Sequence, residues 1–328
     1  MKNISIIGSG SWGTALGIHL AKLGNNVKMW SFAQEEADLI NNEKKCKFLP
    51  QATIPENLFC TTDFKTAIEG TEMILIVTPS KFVRETVQKF KQYVTDQYII
   101  ICSKGFEEST LYTLNEVIEE ELPNNKIGGL SGPSHAEEVS LGIPTALVIA
   151  SKHDDVLKTV QETFMSETLR IYTSYDIQGA ELGGALKNII AFCAGAIYGL
   201  DYGDNTFAAL LTRGLSEMVK LSIKMGGEPK TIYGLTGLGD LIVTCMSNHS
   251  RNRRAGILIG QGKTIEEAKQ EIGMTIESID NIKTAYRLSQ KYDVEMPIVE
   301  TVYQVLFEGL DARKAIADLM TRNPKFED

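Results

Sequence analysis

The chain has 328 residues, which at the usual domain size is enough for two domains. Hydrophobic residues make up 43% and charged residues 23%, a globular composition that excludes a disordered or fibrous chain. With 33 Lys+Arg against 42 Asp+Glu the formal charge is −9, which argues against general nucleic-acid binding, because phosphate backbones need a basic face.

From the N-terminus, Asn3-Ile4-Ser5-Ile6-Ile7 predicts a short strand, residues 12–23 a helix, Gly24-Asn25-Asn26 a turn, and Val27 to Trp30 a second strand. Residues 34–43 predict an exposed helix. Met73 to Val77 and Tyr98 to Cys102 are continuously apolar, as strands covered on both faces are. A helical segment follows Pro79 and another spans residues 110–121; residues 127–131 and 145–150 predict two more strands. This alternation predicts an α/β architecture with a doubly wound parallel sheet. Beyond residue 178 the strand signal fades. Residues 179–200, 206–226, 264–272, 278–292, 297–308 and 311–320 all predict helices, so the chain divides into domains of residues 1–178 and 179–328, the second all-helical.

No run approaches the roughly 18 uninterrupted apolar residues of a membrane span; the best, Ile189 to Leu200, contains two glycines. The N-terminus predicts a first strand rather than a signal peptide. The five cysteines are odd in number and form no Cys-x-x-Cys pair, which fits free thiols in a reducing cytoplasm. The four histidines are scattered, and no metal site is expected.

Gly8-Ser9-Gly10-Ser11-Trp12-Gly13 follows the first strand and opens the first helix. In that context G-x-G-x-x-G predicts dinucleotide binding. Gly8 permits the tight turn, Gly10 lets the backbone approach a pyrophosphate, and Gly13 lets helix and strand pack closely. The helix N-terminus then offers N–H groups to the phosphates. The second strand ends Met29-Trp30-Ser31-Phe32, without the acid that usually grips the adenosine ribose and without an arginine. Glu35 is near enough to reach but is expected on the exposed face of the next helix. The residues therefore leave NAD and NADP equally open.

Other signals sit at strand ends, where open parallel sheets bind ligands: Thr78-Pro79, Ser103-Lys104-Gly105, and Ser131-Gly132-Pro133-Ser134. In the helical half, Lys187 stands alone in an apolar helix beside Asn188 and close to Gly183 and Gly184. It reads either as a snorkelling lysine or as one held in a dry interdomain cleft, where burial and nearby cations lower its pKa. Asp240 is its candidate carboxylate partner or a helix cap. Ser250-Arg251-Asn252-Arg253-Arg254 gathers hydroxyl, guanidinium and amide, the groups that grip a phosphate. His135 is a rival base, although its small neighbours suggest loop geometry.

Taken in order, the motifs at residues 8–13, 103–105, 130–136, 182–188, 237–241 and 250–254 resemble those of bacterial NAD(P)-dependent glycerol-3-phosphate dehydrogenases, over residues 4 to about 310. The resemblance implies a dinucleotide-binding Rossmann domain joined to a helical substrate-binding domain. It implies interconversion of sn-glycerol 3-phosphate and dihydroxyacetone phosphate with NAD(H) or NADP(H), feeding phospholipid synthesis in the cytoplasm. By the same resemblance Gly8, Gly10, Ser11, Trp12, Gly13, Phe32, Lys104, Ala136, Arg251, Thr275 and Glu277 contact the cofactor. Lys104, Gly132, Ser134, Lys187, Asn188, Asp240, Ser250, Arg251 and Asn252 face a small phosphate ester. Lys187 is implied as the general acid/base, with Asp240 and Thr244 orienting it and Lys104 beside it. Two positions depart from the family pattern: Phe32 replaces a frequent His or Arg, and Thr275 a frequent valine. A dehydrogenase of 3-hydroxyacids or ketopantoate, and a silent nucleotide sensor, are the other readings. The partner expected is a small molecule, with no nucleic acid and no integral membrane segment. The sequence leaves the oligomeric state open, a homodimer included.

Overall fold

A computed structural model describes residues 1–324, 326 and 327. The first half is an eight-stranded sheet. Its strands are β1 (Asn3–Ile7), β2 (Asn26–Trp30), β3 (Leu58–Thr61), β4 (Met73–Ile76), β5 (Tyr98–Ile101), β8 (Ile127–Ser131), β9 (Thr145–Ala150) and β10 (Leu169–Ser174). The spatial order is β10-β9-β8-β5-β4-β1-β2-β3. A separate two-stranded hairpin pairs β6 (Phe106–Glu107) with β7 (Tyr112–Thr113).

The central strands β1, β4 and β5 carry buried Ile, Leu and Met on both faces, because helices cover the sheet from either side. One apolar cluster joins β1 and β2 to helix α1 (Ser11–Lys22), and a second joins β4 and β5 to Val83, Val87, Phe90, Val117 and Ile118 on the other face. Helix α2 (Gln34–Asn42) follows β2.

The sheet departs from the expected all-parallel form at one place: β9 runs antiparallel to β8, while every other ladder in it is parallel. The expected helix over residues 110–121 begins only at Leu114, because the hairpin occupies residues 106–113. There Leu111 takes φ 65°, and Thr113 with Glu116 forms a capping box. Edge strands β3 and β10 were not expected. Both alternate between buried and exposed residues over few positions, so they lack the continuous apolar run of the central strands.

The second half is built around the helix Ile177–Gly199, of which 19 residues are buried, Glu181, Lys187 and Asn188 among them. By length and hydropathy this helix could cross a bilayer, but 94% of its most apolar window lies inside the fold, where it serves as a core helix. It crosses the helix Arg251–Gly260 with backbone against backbone. A Cβ at Gly195 would come within 2.0 Å of the Arg253 carbonyl oxygen, and one at Gly256 within 1.9 Å of that of Phe192. Gly199 and Gly260 are equally tight, at 2.3 and 2.4 Å. A π-helical stretch, Leu235–Gly239, runs directly into the helix Asp240–Met246. Each of these helices delivers one end or one face to a cleft opposite the carboxyl ends of β1, β4 and β5.

Candidate active site

The cleft has a volume of about 440 Å³ and is lined from both halves. On the sheet side its floor is the glycine turn. Gly8 has φ 127°, a region that favours glycine, and a Cβ there would stand 3.0 Å from the Val77 carbonyl oxygen. A Cβ on Gly13 would come within 2.0 Å of the Gly8 carbonyl oxygen, so α1 packs directly against the turn. Around Gly10, by contrast, no protein atom lies within 4 Å of such a Cβ. Gly10 is also the N-cap of α1 and supplies no side-chain cap, so the first-turn N–H groups face the cleft. Trp12 Nε1 is buried at the lining without a hydrogen-bond acceptor. An uncapped helix N-terminus, an open backbone and an orphaned indole donor together fit the pyrophosphate of a dinucleotide.

Across the cleft, three charged groups join the halves. Lys104, directly after β5, places Nζ 2.6 Å from Asp240 Oδ2 and 3.2 Å from the Gly132 carbonyl oxygen. Lys187 Nζ stands 3.1 Å from Asp240 Oδ1 and donates to Thr244 Oγ1 at 2.7 Å. Thr244 Oγ1 in turn donates to the Asp240 carbonyl oxygen at 2.6 Å, one turn back along its helix. Lys187 is 6% exposed and Asp240 2%. Burial lowers the Lys187 pKa; Asp240 opposes that, and Lys104 reinforces it. Burial raises the Asp240 pKa, but the two ammonium groups outweigh it and hold the carboxyl below its usual range. The result is an anion shared by two ammonium groups, one of which burial holds below its usual pKa.

A further cation lies at the start of the helix Arg251–Gly260. Ser250 caps it, accepting from the Arg253 N–H at 3.2 Å. Arg251 Nη1 donates to the Thr275 carbonyl oxygen at 3.1 Å. Asn252 Oδ1 accepts from the Ser278 N–H at 3.0 Å, and Asn188 Nδ2 donates to Glu277 Oε2 at 3.2 Å. Glu277 is half-buried at the cleft lining, and burial raises its pKa against the pull of Arg251, Lys187 and Lys104.

Family models described as the N-terminus and C-terminus of NAD-dependent glycerol-3-phosphate dehydrogenase match residues 3–157 and 176–317. The chain belongs to the NAD-dependent glycerol-3-phosphate dehydrogenase family. It is therefore an enzyme, an oxidoreductase. A glycerol-3-phosphate dehydrogenase [NAD(P)+] from Fusobacterium nucleatum is 49% identical over 332 residues, covering 100% of this chain and 99% of that one. One from Clostridium perfringens is 49% identical over 330 residues, covering all of both chains. The crystal structure of a glycerol-3-phosphate dehydrogenase from Coxiella burnetii superimposes with a TM-score of 0.95 at 39% identity, covering 98% of this chain and 99% of that one. A ketopantoate reductase from Ralstonia eutropha, at 12% identity and a TM-score of 0.61, shares the fold alone.

Of the residues singled out from the dehydrogenase motifs, all but Gly132 line this cleft. Gly132 instead takes φ 138° and turns its carbonyl oxygen to Lys104. Phe32 stands at the mouth, 86% exposed. Of the three arginines in the 250–254 run only Arg251 reaches the cleft; Arg253 lies over the Tyr198 ring at 5.0 Å and donates to Asn248.

Sequence reasoning passed over several lining residues. Phe48 and Met274 lie in loops without a pattern, and His249 precedes the arginine run. His135, read as loop geometry, lines the cleft with Nε2 buried and unpaired, and its ring centre is 5.9 Å from that of His249. Burial and then Lys187 lower its pKa. Its one sequence signal was the Ser-His-Ala sequence at a strand end. Among the described residues no group of three or more His, Cys, Asp or Glu gathers as metal ligands.

Proposed function

We propose that this enzyme interconverts sn-glycerol 3-phosphate and dihydroxyacetone phosphate, mainly by reduction of the ketone, with Lys187 as its general acid and base. The observation that carries this reading is the Asp240 carboxylate, held between Lys104 of the sheet half and Lys187 of the helical half. Residues 1–178 would hold the dinucleotide and residues 179–328 the phosphate ester. The start of the helix Ile177–Gly199 just after β10 supports that division.

The glycine turn, Ser11 and Trp12 would hold the cofactor phosphates, with Ala136, Thr275 and Glu277 nearer the nicotinamide. When bound, the nicotinamide supplies or accepts the hydride at substrate C2. The chain itself handles the proton and the charge. Lys187 Nζ has two of its donors directed to Asp240 and Thr244, which aims the remaining one into the cleft. In reduction, the C2 oxygen gains negative charge, which the ammonium stabilises before giving it a proton. In oxidation, the neutral amine takes the proton from the C2 hydroxyl. Lys104 adds positive potential and keeps the amine form within reach.

Arg251, with Ser250 and Asn252, would bind the substrate phosphate. Gripping that remote group fixes C2 against the proton donor and uses binding for orientation. The product suits phospholipid synthesis in the cytoplasm, and five buried free thiols are compatible with a reducing compartment.

The test is initial rates of ketone reduction with NADH and with NADPH over a panel: dihydroxyacetone phosphate, dihydroxyacetone, ketopantoate and a 3-keto acid. Dihydroxyacetone phosphate should exceed the others by at least a hundredfold in kcat/KM. Preference for ketopantoate or the keto acid would refute the phosphate assignment. Tight NAD(P)H binding without turnover of any ketone would make the protein a sensor.

A further inference from the structure

One carboxylate beside the glycine turn has no part in the chemistry above. Glu36 lies in the first turns of α2, just beyond the end of β2. Its Oε2 accepts from Ser9 Oγ at 2.6 Å and from Ser31 Oγ at 3.1 Å, and the two serine oxygens are 2.8 Å apart. Ser9 lies between Gly8 and Gly10, and Ser31 directly follows β2; they are 5% and 0% exposed. Two buried hydroxyls therefore tie the carboxylate to the dinucleotide turn itself. Its other oxygen, Oε1, makes no hydrogen bond or ion pair among the described residues, so it is free to accept one. Glu35, the neighbour that sequence reasoning considered, is exposed.

The cations of the cleft stand at its other end. Lys104 follows β5, three strands from β2 in the order β5-β4-β1-β2, or about 14 Å at about 4.8 Å per strand. Lys187 and Arg251 belong to the helical half. After β2 the chain continues Ser31-Phe32-Ala33-Gln34, with no Lys or Arg. Lys47 borders this wall, exposed and 5.9 Å from the centre of the Phe48 ring.

We propose that Glu36 selects the dinucleotide whose adenosine ribose keeps a free 2′-hydroxyl, making this enzyme prefer NAD(H) to NADP(H). The inference rests on the dehydrogenase reading and adds the choice of cofactor. Glu36 stands in the first turn of α2, and its bond from Ser31 ties it back to the end of β2, where a dinucleotide fold usually carries its ribose-binding acid. A 2′-hydroxyl can donate to a carboxylate. A 2′-phosphate carries about −1.5 to −2 charges, has no such proton to give, and meets the Glu36 anion, with no Lys or Arg between the end of β2 and Lys44.

The test is binding without substrate. Both tryptophans, Trp12 and Trp30, line the cleft, so quenching of their fluorescence reports dissociation constants directly. NADH should bind the wild-type enzyme at least tenfold more tightly than NADPH, and 5′-ADP should compete better than 2′,5′-ADP. Glu36→Gln keeps an acceptor for the serines; it should narrow the NADH:NADPH ratio to about threefold, chiefly by tightening NADPH. Ala33→Arg should tighten NADPH further. Equal or tighter NADPH binding by wild type would overturn the proposal and leave the dehydrogenase reading intact. So would an unchanged ratio in Glu36→Gln, or a tenfold loss of NADPH affinity in Lys47→Ala. Failure of both dinucleotides to bind would overturn the dehydrogenase reading as well.

Discussion

The sheet side of the cleft offers a ligand chiefly backbone, whereas the helical side offers charged side chains. At the turn from Gly8 to Gly13 the contacts on offer are N–H groups of α1 and the bare Gly10, with the Ser11 hydroxyl and the Trp12 indole as donor side chains. On the facing wall Lys187, Asp240, Thr244 and Arg251 come from three helices, and Lys104 reaches across to join them. Backbone donors tolerate sequence change but demand shape. Charged side chains tolerate small shifts but demand identity. Substitution should therefore separate the two walls: on the charged side turnover and substrate choice fail, and on the backbone side cofactor affinity fails.

The sharpest way to break this contrast is Lys187→Ala. It should lower kcat about a thousandfold, within the range general acid–base catalysis supplies, while the NADH dissociation constant measured by fluorescence stays within twofold. A variant that still turns over at a tenth of the normal rate would remove Lys187 from its role. Arg251→Ala comes next. Losing a charge-assisted phosphate contact worth about 1.5–3 kcal/mol should reduce kcat/KM for dihydroxyacetone phosphate about ten- to a hundredfold. The rate with unphosphorylated dihydroxyacetone should not change, and an equal loss for both ketones would contradict the assignment.

Gly10→Ala probes the other wall. Its new methyl meets no protein atom, so thermal stability should hold while cofactor affinity falls about tenfold. Gly13→Ala is the opposite case, since its methyl collides with the Gly8 carbonyl oxygen; calorimetry should show a lowered Tm.

The smallest effect is on pH dependence. Lys104 lowers the Lys187 pKa, so Lys104→Met should let it rise. Oxidation of glycerol 3-phosphate needs the neutral amine, and its rising limb in a kcat–pH profile should move to higher pH. An unmoved limb would show that Lys104 does not act on Lys187.

The two walls also differed in how far the sequence disclosed them. The glycine turn is local: strand, glycines and helix are contiguous, so residues 3–22 state their own arrangement. Glu36 escaped because one residue along a helix turns the side chain by about 100°, and Glu35 was the neighbour weighed. The antiparallel β9 escaped because an apolar run such as Thr145–Ala150 reads alike in either direction. On the charged wall, Lys187 and Asp240 are 53 residues apart and on different helices. Periodicity marks each helix face but does not say which helices cross, so Asp240 stood only as a candidate partner or a helix cap until the ordered family motifs implied that the two meet. The helix that starts at Arg251 was itself hidden, since its first turn is Arg-Asn-Arg-Arg and its last turns mix glycine with apolar residues.

Lys187 and Arg251 ride on the two helices that touch through Gly195, Gly199, Gly256 and Gly260. With main chain seated on main chain at that joint, no bulky side chain is available to repack and let one helix slide along the other. On the roles proposed for these two residues, the span between them is a fixed gauge that would admit one length of carbon chain between ketone and phosphate, and homologues a methylene longer or shorter would leave one end unheld.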